Sequence, residues 1–556
     1  MQVDLIVKNA NVFTVDKSNP KATCFAIKDG KFVYVGDEEG IKDYEGEVKD
    51  LGGKFVIPGI IDSHNHISVS IAMCQFKYPI INQRGKKATL EDIASKVKAD
   101  AGQKVHFFMV RELFLEGEDI TKQDLDDIST DEGIYLLEYE PHSGWCNSKM
   151  LEILGIDENT EDPAPGFSYL TRDEFGRPTG RIYEGLSSEA TLSNTDAISD
   201  EYIKSEVIRL DNYCKKMGIT TLVECAMPAC PEFGERVYRL IAELDRAGKI
   251  SVDIHGSYGS MLPKYIPNAI NELKRYNKEF NTKHLSVRTL KLWIDGTSAI
   301  STAYMLEPRL DNGLTGGKLC DMETLKNLIK ECDKFDFDFH LHVIGDGAIR
   351  MSLDAVEEAK NELGRNLNSR VTLAHVELCS DADIKRFKEL DVIANFTPYW
   401  FAPPEVSGGY EYMQKALGDR FRYEYRVKDI LNAGAIVNFG CDQCGMYDNF
   451  QNWSPFLSME VGVLRKYLPK TQNSEFVGVT EYGLTPEQSI SIEQLIEGYT
   501  LGGAYQLRQE DTRGSITAGK TADFVVLPED ITSVNIEGIS NIVPEEVYFK
   551  GVLTNY

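Results

Sequence analysis

Eight short apolar runs constrain this chain more than any other feature, because helical patterns fall between most of them. The runs lie at 56–62, 218–226, 250–257, 286–294, 338–343, 371–376, 392–397 and 435–441. Helical patterns at 321–335, 350–363 and 381–390 separate several of them. Eight strands alternating with helices is the count of an α/β fold closed as a (β/α)8 TIM barrel. A chain of 556 residues is long enough for that barrel and a further domain. The stretch between the first and second runs, about 67–217, is too long for one crossover. It is expected to hold a subdomain inserted over the barrel mouth.

The two chain ends carry a different pattern. Residues 3–57 hold short β-rich runs at 5–7, 12–15, 24–27 and 32–35, with Lys28-Asp29-Gly30-Lys31 as a hairpin turn. The pattern resumes at 522–527 and 547–551. We expect one small composite β-sandwich domain from 1–57 and 510–556, and the barrel over 58–509.

Composition narrows the classes of partner. Hydrophobic residues make up 42% and charged residues 26%, as in soluble globular proteins, and the formal net charge is -27. Nucleic acid and anionic membrane call for basic surfaces, so a small-molecule substrate is expected. The N-terminal residues lack the basic and apolar regions of a signal peptide, and no run approaches the roughly 20 apolar residues of a membrane span. The 11 cysteines are scattered. Their one C-x-x-C pair, Cys441 and Cys444, has no second pair to complete a four-sulfur zinc site. Reduced thiols in a cytoplasmic protein are the expectation.

The chemistry is concentrated in nine histidines. His64 and His66 are two apart at the end of the first strand, so both side chains point one way. His342 ends the fifth strand, His375 the sixth and Asp442 the eighth. Strand ends of a barrel converge at its C-terminal face, where active sites form. Imidazole and carboxylate are what a hydrolytic zinc, manganese or iron centre needs. His340 reads as a core residue one layer deeper than His342, and His106, His255 and His284 as structural or surface residues. Lys291 interrupts an apolar strand, where a bare ammonium is costly. Two readings stand for it: an ammonium facing acidic groups in the mouth, or a carbamate formed with carbon dioxide that bridges two metals. Asp62, two residues before His64, is expected to orient a ligand by a hydrogen bond. Tyr399, Trp400, Phe401, Tyr447 and Trp453 follow the seventh and eighth strands, and either line an apolar pocket or pack the loops.

With these residues in view the chain resembles the amidohydrolase superfamily, in particular the amidohydrolase-3 group that includes N-substituted formamide deformylases. The markers are Pro58-Gly59-Ile60-Ile61-Asp62-Ser63-His64-Asn65-His66, Gly144-Trp145-Cys146-Asn147-Ser148-Lys149, Gly176-Arg177-Pro178-Thr179-Gly180, Gly218-Ile219-Thr220-Thr221, Leu290-Lys291-Leu292-Trp293-Ile294-Asp295-Gly296, His342-Val343-Ile344-Gly345-Asp346 and Gly519-Lys520-Thr521-Ala522-Asp523-Phe524. The resemblance covers nearly the whole chain. It implies His64, His66, His342 and His375 as metal ligands, Lys291 at the carboxylated-lysine position, and Asp442 as a general base that also touches the metal. It implies one or two divalent ions, foremost Zn2+, and a homodimer, which is common in the superfamily. His142 matches a residue that faces substrate, and His142 and Trp145 are both expected to bind it; the other reading of His142 is a loop histidine packed near Trp145. The chain departs from the pattern at Cys441, in 297–302, which lacks an arginine, and at Gly347, where an arginine is frequent. Those changes point to an altered pocket. The expected activity is hydrolysis of a non-peptide C–N bond in an amide, N-acyl or N-formyl group. Metal-activated water attacks, and Asp442 takes its proton and passes it to the leaving nitrogen. A deaminase or cyclic-amide hydrolase with the same site, and a non-catalytic regulatory or binding protein that keeps the fold, are the alternatives.

Overall fold

The structure, a computed structural model, describes residues 1–78, 85–110, 119–402, 409–442, 454–472 and 483–555. Its central sheet has eight parallel strands in chain order: β1 (Ile60–Asn65), β2 (Ile219–Glu224), β3 (Asp253–Ser260), β4 (Leu285–Trp293), β5 (Asp338–Val343), β6 (Val371–His375), β7 (Val392–Phe396) and β8 (Val437–Phe439). The two outer strands meet just past β8. The Asp442 N–H donates to the His64 carbonyl at 2.9 Å, and the Cys441 N–H donates to Asp62 Oδ1 at 3.1 Å. The sheet therefore closes as a TIM barrel.

Burial explains why these segments are strands. Every residue of β1, β2 and β5 is buried, as befits parallel strands covered on both faces. The helices outside are amphipathic. Ala269–Phe280, for example, buries Ala269, Leu273, Tyr276 and Phe280, one stripe at helical spacing. Met322–Lys334 begins at Asp321, whose side chain accepts the Thr324 N–H at 2.8 Å and caps the helix.

The first run differs from its sequence reading in one respect. The stretch 56–62 is two strands, not one: Phe55–Pro58 lies in another sheet and β1 begins at Ile60. Pro58 lacks a ladder donor. Gly59 passes so close to its surroundings that a Cβ there would sit 2.6 Å from Thr220 Cγ2. The chain changes sheets at this point.

That other sheet has six strands, in the order Val552–Leu553, Glu546–Phe549, Phe524–Leu527, Phe55–Pro58, Asn11–Phe13 and Lys21–Ala22. Both chain ends thus interleave in it. A four-stranded sheet of Lys31–Gly36, Cys24–Lys28, Gln2–Lys8 and Glu45–Asp50 shares its core. There Phe25 meets Phe524 edge-on at 5.0 Å, and Phe524 stacks on Tyr548 at 4.2 Å.

Between β1 and β2 a further sheet holds Leu170–Arg172, Pro178–Tyr183, Ser143–Cys146, Gly133–Glu138 and Val105–Val110. The turn that follows Glu138 brings Glu140 and His142 to the cavity at the barrel mouth. Among the described residues, no helix is long and apolar enough to cross a membrane.

Candidate metal centre and active site

Three strand ends, those of β1, β5 and β6, gather their imidazoles beside Asp442, which follows β8. Its Oδ1 lies 3.3 Å from His64 Nε2 and 3.3 Å from His66 Nε2, and its Oδ2 lies 3.6 Å from His375 Nδ1. The His342 and His375 rings are 4.4 Å apart. Lys291 Nζ sits 3.3 Å from His64 Nε2 and 4.8 Å from the centre of the Trp293 ring. The structure thus brings together all six residues expected at the centre: His64, His66, Lys291, His342, His375 and Asp442. Register accounts for their depth. Lys291 is level with His340 across the β4–β5 ladder, and His342 stands one layer higher, level with Trp293.

These separations suit a divalent cation. Four donors bound at roughly 2.1 Å in a tetrahedron stand about 3.4 Å apart. His375 supplies the sharper sign. It is 1% exposed, yet neither ring nitrogen has a hydrogen-bond partner among the described residues. A buried imidazole left this way is costly unless something else uses its lone pair. The other rings are already oriented. His66 Nδ1 meets the Ala226 carbonyl at 3.4 Å, and His342 Nε2 meets the Gly296 carbonyl at 3.1 Å. Each contact uses a ring N–H and frees the other nitrogen's lone pair. His64 Nδ1 lies 3.2 Å from Asn395 Oδ1, and Asn395 is turned that way because its Nδ2 donates to Asn438 Oδ1 at 2.7 Å. Burial, reinforced by Lys291 and the neighbouring rings, holds His64, His342 and His375 well below the ordinary histidine range, so they are neutral imidazoles. Burial likewise lowers the Lys291 amine, opposed by Cys225 and Asp442.

The backbone is held in unusual conformations at these positions. His375 has φ 74°, Val376 φ 47°, Asp442 φ 46° and Ala226 φ 64°. Non-glycine residues at positive φ cost about 1–3 kcal/mol each and cluster at functional sites.

Above this floor opens a cavity of about 330 Å³. His66, His342, His375 and Asp442 form its base, and Tyr399, Trp400 and Tyr425 are among its aromatic walls. Trp400 stacks on His375 at 5.3 Å. His142 enters from the insertion, 5.9 Å from the His342 ring. Its Nδ1 is 2.6 Å from Glu184 Oε2. Burial alone would lower the imidazole, but the Glu184 and Glu140 carboxylates win and push it up to about 9. Burial also raises Glu140, to about 8.

Comparison with known proteins agrees with this geometry. The model of the amidohydrolase family, of the amidohydrolase-3 type, matches residues 47–554. The chain belongs to the amidohydrolase family. Among relatives, an exoenzymes regulatory protein, AepA, of Pectobacterium carotovorum subsp. carotovorum is 29% identical over 446 residues, 78% of this chain and 92% of that one. The N-substituted formamide deformylase of Arthrobacter pascens is 23% identical over 578 residues, 99% and 98% of the two chains. A crystal structure of a metal-dependent hydrolase from Pyrococcus horikoshii OT3 has the same fold, with TM-score 0.69, 22% identity and coverage of 96% and 99%.

Other expected residues of this amidohydrolase lie elsewhere. Trp145 is not among the residues lining the cavity. It is 1% exposed in the core of the inserted sheet, its Nε1 donates to Asp119 Oδ1 at 2.9 Å, and the Arg181 guanidinium lies 3.8 Å from its ring centre. Asp62 acts on the backbone and not on an imidazole: it accepts the N–H of His64 at 3.3 Å and of Cys441 at 3.1 Å, and Cys441 Sγ lies 2.8 Å from Oδ2. His340 lies under His64, its Nε2 3.0 Å from His64 Nδ1. His106 pairs with Glu132 at 3.0 Å and His284 with Asp253 at 2.6 Å, while His255 Nε2 lies 3.4 Å from Gln509. Phe401 is buried beneath Arg465, and Tyr447, Trp453 and Cys444 fall outside the described residues.

The altered loops have local explanations. Thr297, Ser298 and Ala299 line the cavity, and Arg309 reaches back to the Ser298 carbonyl. Gly347 packs under Tyr304, whose carbonyl would stand 2.8 Å from any Cβ there. Three carboxylates that line the amidohydrolase cavity, Glu140, Glu377 and Glu424, and Glu184 behind His142 escaped the sequence reading. Glu184 follows the Gly176–Gly180 marker closely and has φ 52°, but no spacing rule ties it to His142.

Proposed function

We propose that this amidohydrolase cleaves a C–N bond other than a peptide bond, in a small amide, N-acyl or N-formyl compound, with Asp442 as its proton shuttle. One observation carries the reading: a single carboxylate stands within 3.6 Å of three strand-end imidazoles at the floor of a cavity. His64, His66, His342, His375 and Asp442 would hold a divalent cation, and we favour Zn2+ because neutral imidazole and carboxylate are its usual donors. Bound there, such an ion lowers the pKa of water toward about 7 and polarises a carbonyl.

The chain's own groups do the rest. Asp442 is placed to accept the proton of the attacking water and to return it to the leaving nitrogen. His142, kept protonated by Glu184, faces the cavity across from His342 and is placed to donate to the substrate carbonyl oxygen as charge develops on it. The aromatic walls exclude water and hold the apolar part of the substrate. The buried, lowered Lys291 amine is a site for carbamate formation, which would replace an isolated ammonium by an anionic ligand and provide for a second ion.

Asp442→Asn tests the shuttle. Turnover is expected to fall by roughly 10²–10⁴-fold, the usual worth of a positioned acid–base group, while metal is retained on elemental analysis. Full turnover with metal bound would overturn the assignment. The regulatory name of the AepA relative gives a second reading its one specific support, that of a binding protein on the same fold. No turnover on any N-acyl or N-formyl compound, with no metal retained, would favour it.

A further inference from the structure

Two further carboxylates line the cavity. Glu377 lies two residues past His375, and Glu424 precedes the helix Val427–Asn432; they are 8% and 2% exposed. Glu377 is satisfied: it accepts the Ser298 hydroxyl on Oε1 and the Tyr425 hydroxyl on Oε2 at 3.2 Å. Glu424 is not. Its Oε1 is buried and accepts no hydrogen bond from any described residue.

Burial and the neighbouring Glu377 push the Glu424 carboxyl well above its usual range, only partly opposed by Arg465, so a bound cation would also favour its ionised form. The hydrogen bonds of the two nearby guanidinium groups go elsewhere. Arg309 holds Asp311 through two bonds, at 3.0 and 2.7 Å, and also meets Ser298 and Tyr412. Arg465 gives its donors to the Leu484 and Tyr425 carbonyls and to Thr485 Oγ1, and lies 4.5 Å from the Phe401 ring centre. Among the described residues, neither guanidinium forms an ion pair with Glu377 or Glu424. A buried carboxylate oxygen without a donor costs free energy, and Tyr399, Trp400, Tyr412 and Tyr425 share the cavity with it. Aromatic faces around an unsatisfied carboxylate make a receptor for a cation.

We propose that Glu424, with Glu377 beside it, anchors a cationic nitrogen of the substrate, an ammonium, amidinium or guanidinium, joined by an apolar linker to the amide presented at the His–Asp floor. The proposal rests on the hydrolase reading above for its choice of scissile group. An ammonium on Glu424 supplies the donor its Oε1 lacks. The linker crosses the aromatic walls, and the overall charge of -27 favours the approach of a cation.

The test uses the metal-loaded enzyme and N-acetyl-α,ω-diaminoalkanes of three to six methylenes, each paired with the N-alkylacetamide in which methyl replaces the ammonium. At the best chain length, kcat/KM is expected to favour the ammonium compound by roughly tenfold to a hundredfold, the worth of a hydrogen bond to a charged group. In Glu424→Gln, folded as judged by circular dichroism, that ratio should fall toward one. A ratio near one in the unsubstituted enzyme at every chain length overturns the anchor and leaves the hydrolase reading intact. So does a ratio that survives Glu424→Gln. If no compound is hydrolysed, calorimetric binding of the same pairs decides. A Glu424-dependent preference for the ammonium keeps the anchor and removes the hydrolase reading; equal binding removes the anchor.

Discussion

The Glu184→Gln substitution isolates one electrostatic interaction in the cavity. His142 moves from an ordinary 6.5 up to about 9 although burial acts the other way. At about 1.4 kcal/mol per unit, the neighbouring carboxylates outweigh desolvation by about 3 kcal/mol. Glu184 is the largest of these attractions, at 2.6 Å and fully buried. Glutamine keeps the shape and an oxygen to accept the Thr302 hydroxyl, but removes the charge. His142 should then titrate lower, by roughly two units, toward the ordinary imidazole range. The sign follows from the raised value. The pair's contribution to stability is complete below about 6.5 and is lost as pH rises through about 9, so the protein and its variant should converge in stability at high pH. Histidine ¹³Cε1 labelling reads the titration directly, with His142→Gln assigning the signal. Glu140 titrates near 8 in the same window, so Glu140→Gln serves as the control. The reasoning is refuted if His142 titrates at the same pH in both proteins. If the imidazolium assists the carbonyl as proposed, the basic limb of kcat/KM moves down with it.

Two further substitutions probe how the floor is held. A Cβ at residue 440 would lie 2.4 Å from the His64 backbone nitrogen and 2.6 Å from its Cβ. Gly440→Ala should therefore displace His64 and weaken metal retention by at least tenfold in competition with a chelator, while far-ultraviolet circular dichroism stays unchanged; undiminished retention would count against the packing argument. Asp62→Ala strips the acceptor from the buried N–H groups of His64 and Cys441. It should cost about 3 kcal/mol from those unmet donors, read as a lower denaturant midpoint, and a midpoint equal to the parent's would show that Asp62 does not close the barrel.

The fold was legible because each barrel strand is a short apolar segment between helical ones, and burial on both faces leaves that trace in sequence. The break at Pro58-Gly59 was hidden because both halves of the run are apolar; what separates them is long-range pairing, of Phe55–Pro58 with Phe524–Leu527 and of β1 with β2. At the site, His64 and His66 announce themselves by local spacing, and His342, His375 and Asp442 by their places at strand ends. Asn395, Asn438 and Gln506, which orient His64 from below, are ordinary core positions in sequence and acquire meaning only through the barrel register. Glu140, Glu377 and Glu424 in the cavity and Glu184 behind His142 come from separate loops with no repeat or spacing in common. Trp145 shows the opposite case: a residue within a recognisable motif whose indole serves the core of the inserted sheet while the adjoining turn carries His142 to the cavity.

The proposed C–N hydrolysis requires a divalent metal held by the strand-end cluster. Elemental analysis of the purified protein before and after chelation, with turnover on N-formyl and N-acyl compounds followed in the same samples, tests it most directly. One or two equivalents of metal are expected, with activity lost on chelation, restored by adding Zn2+ back, and both metal and activity lost in His66→Ala. A protein that retains no metal, or that hydrolyses these compounds equally well without it, would contradict the account.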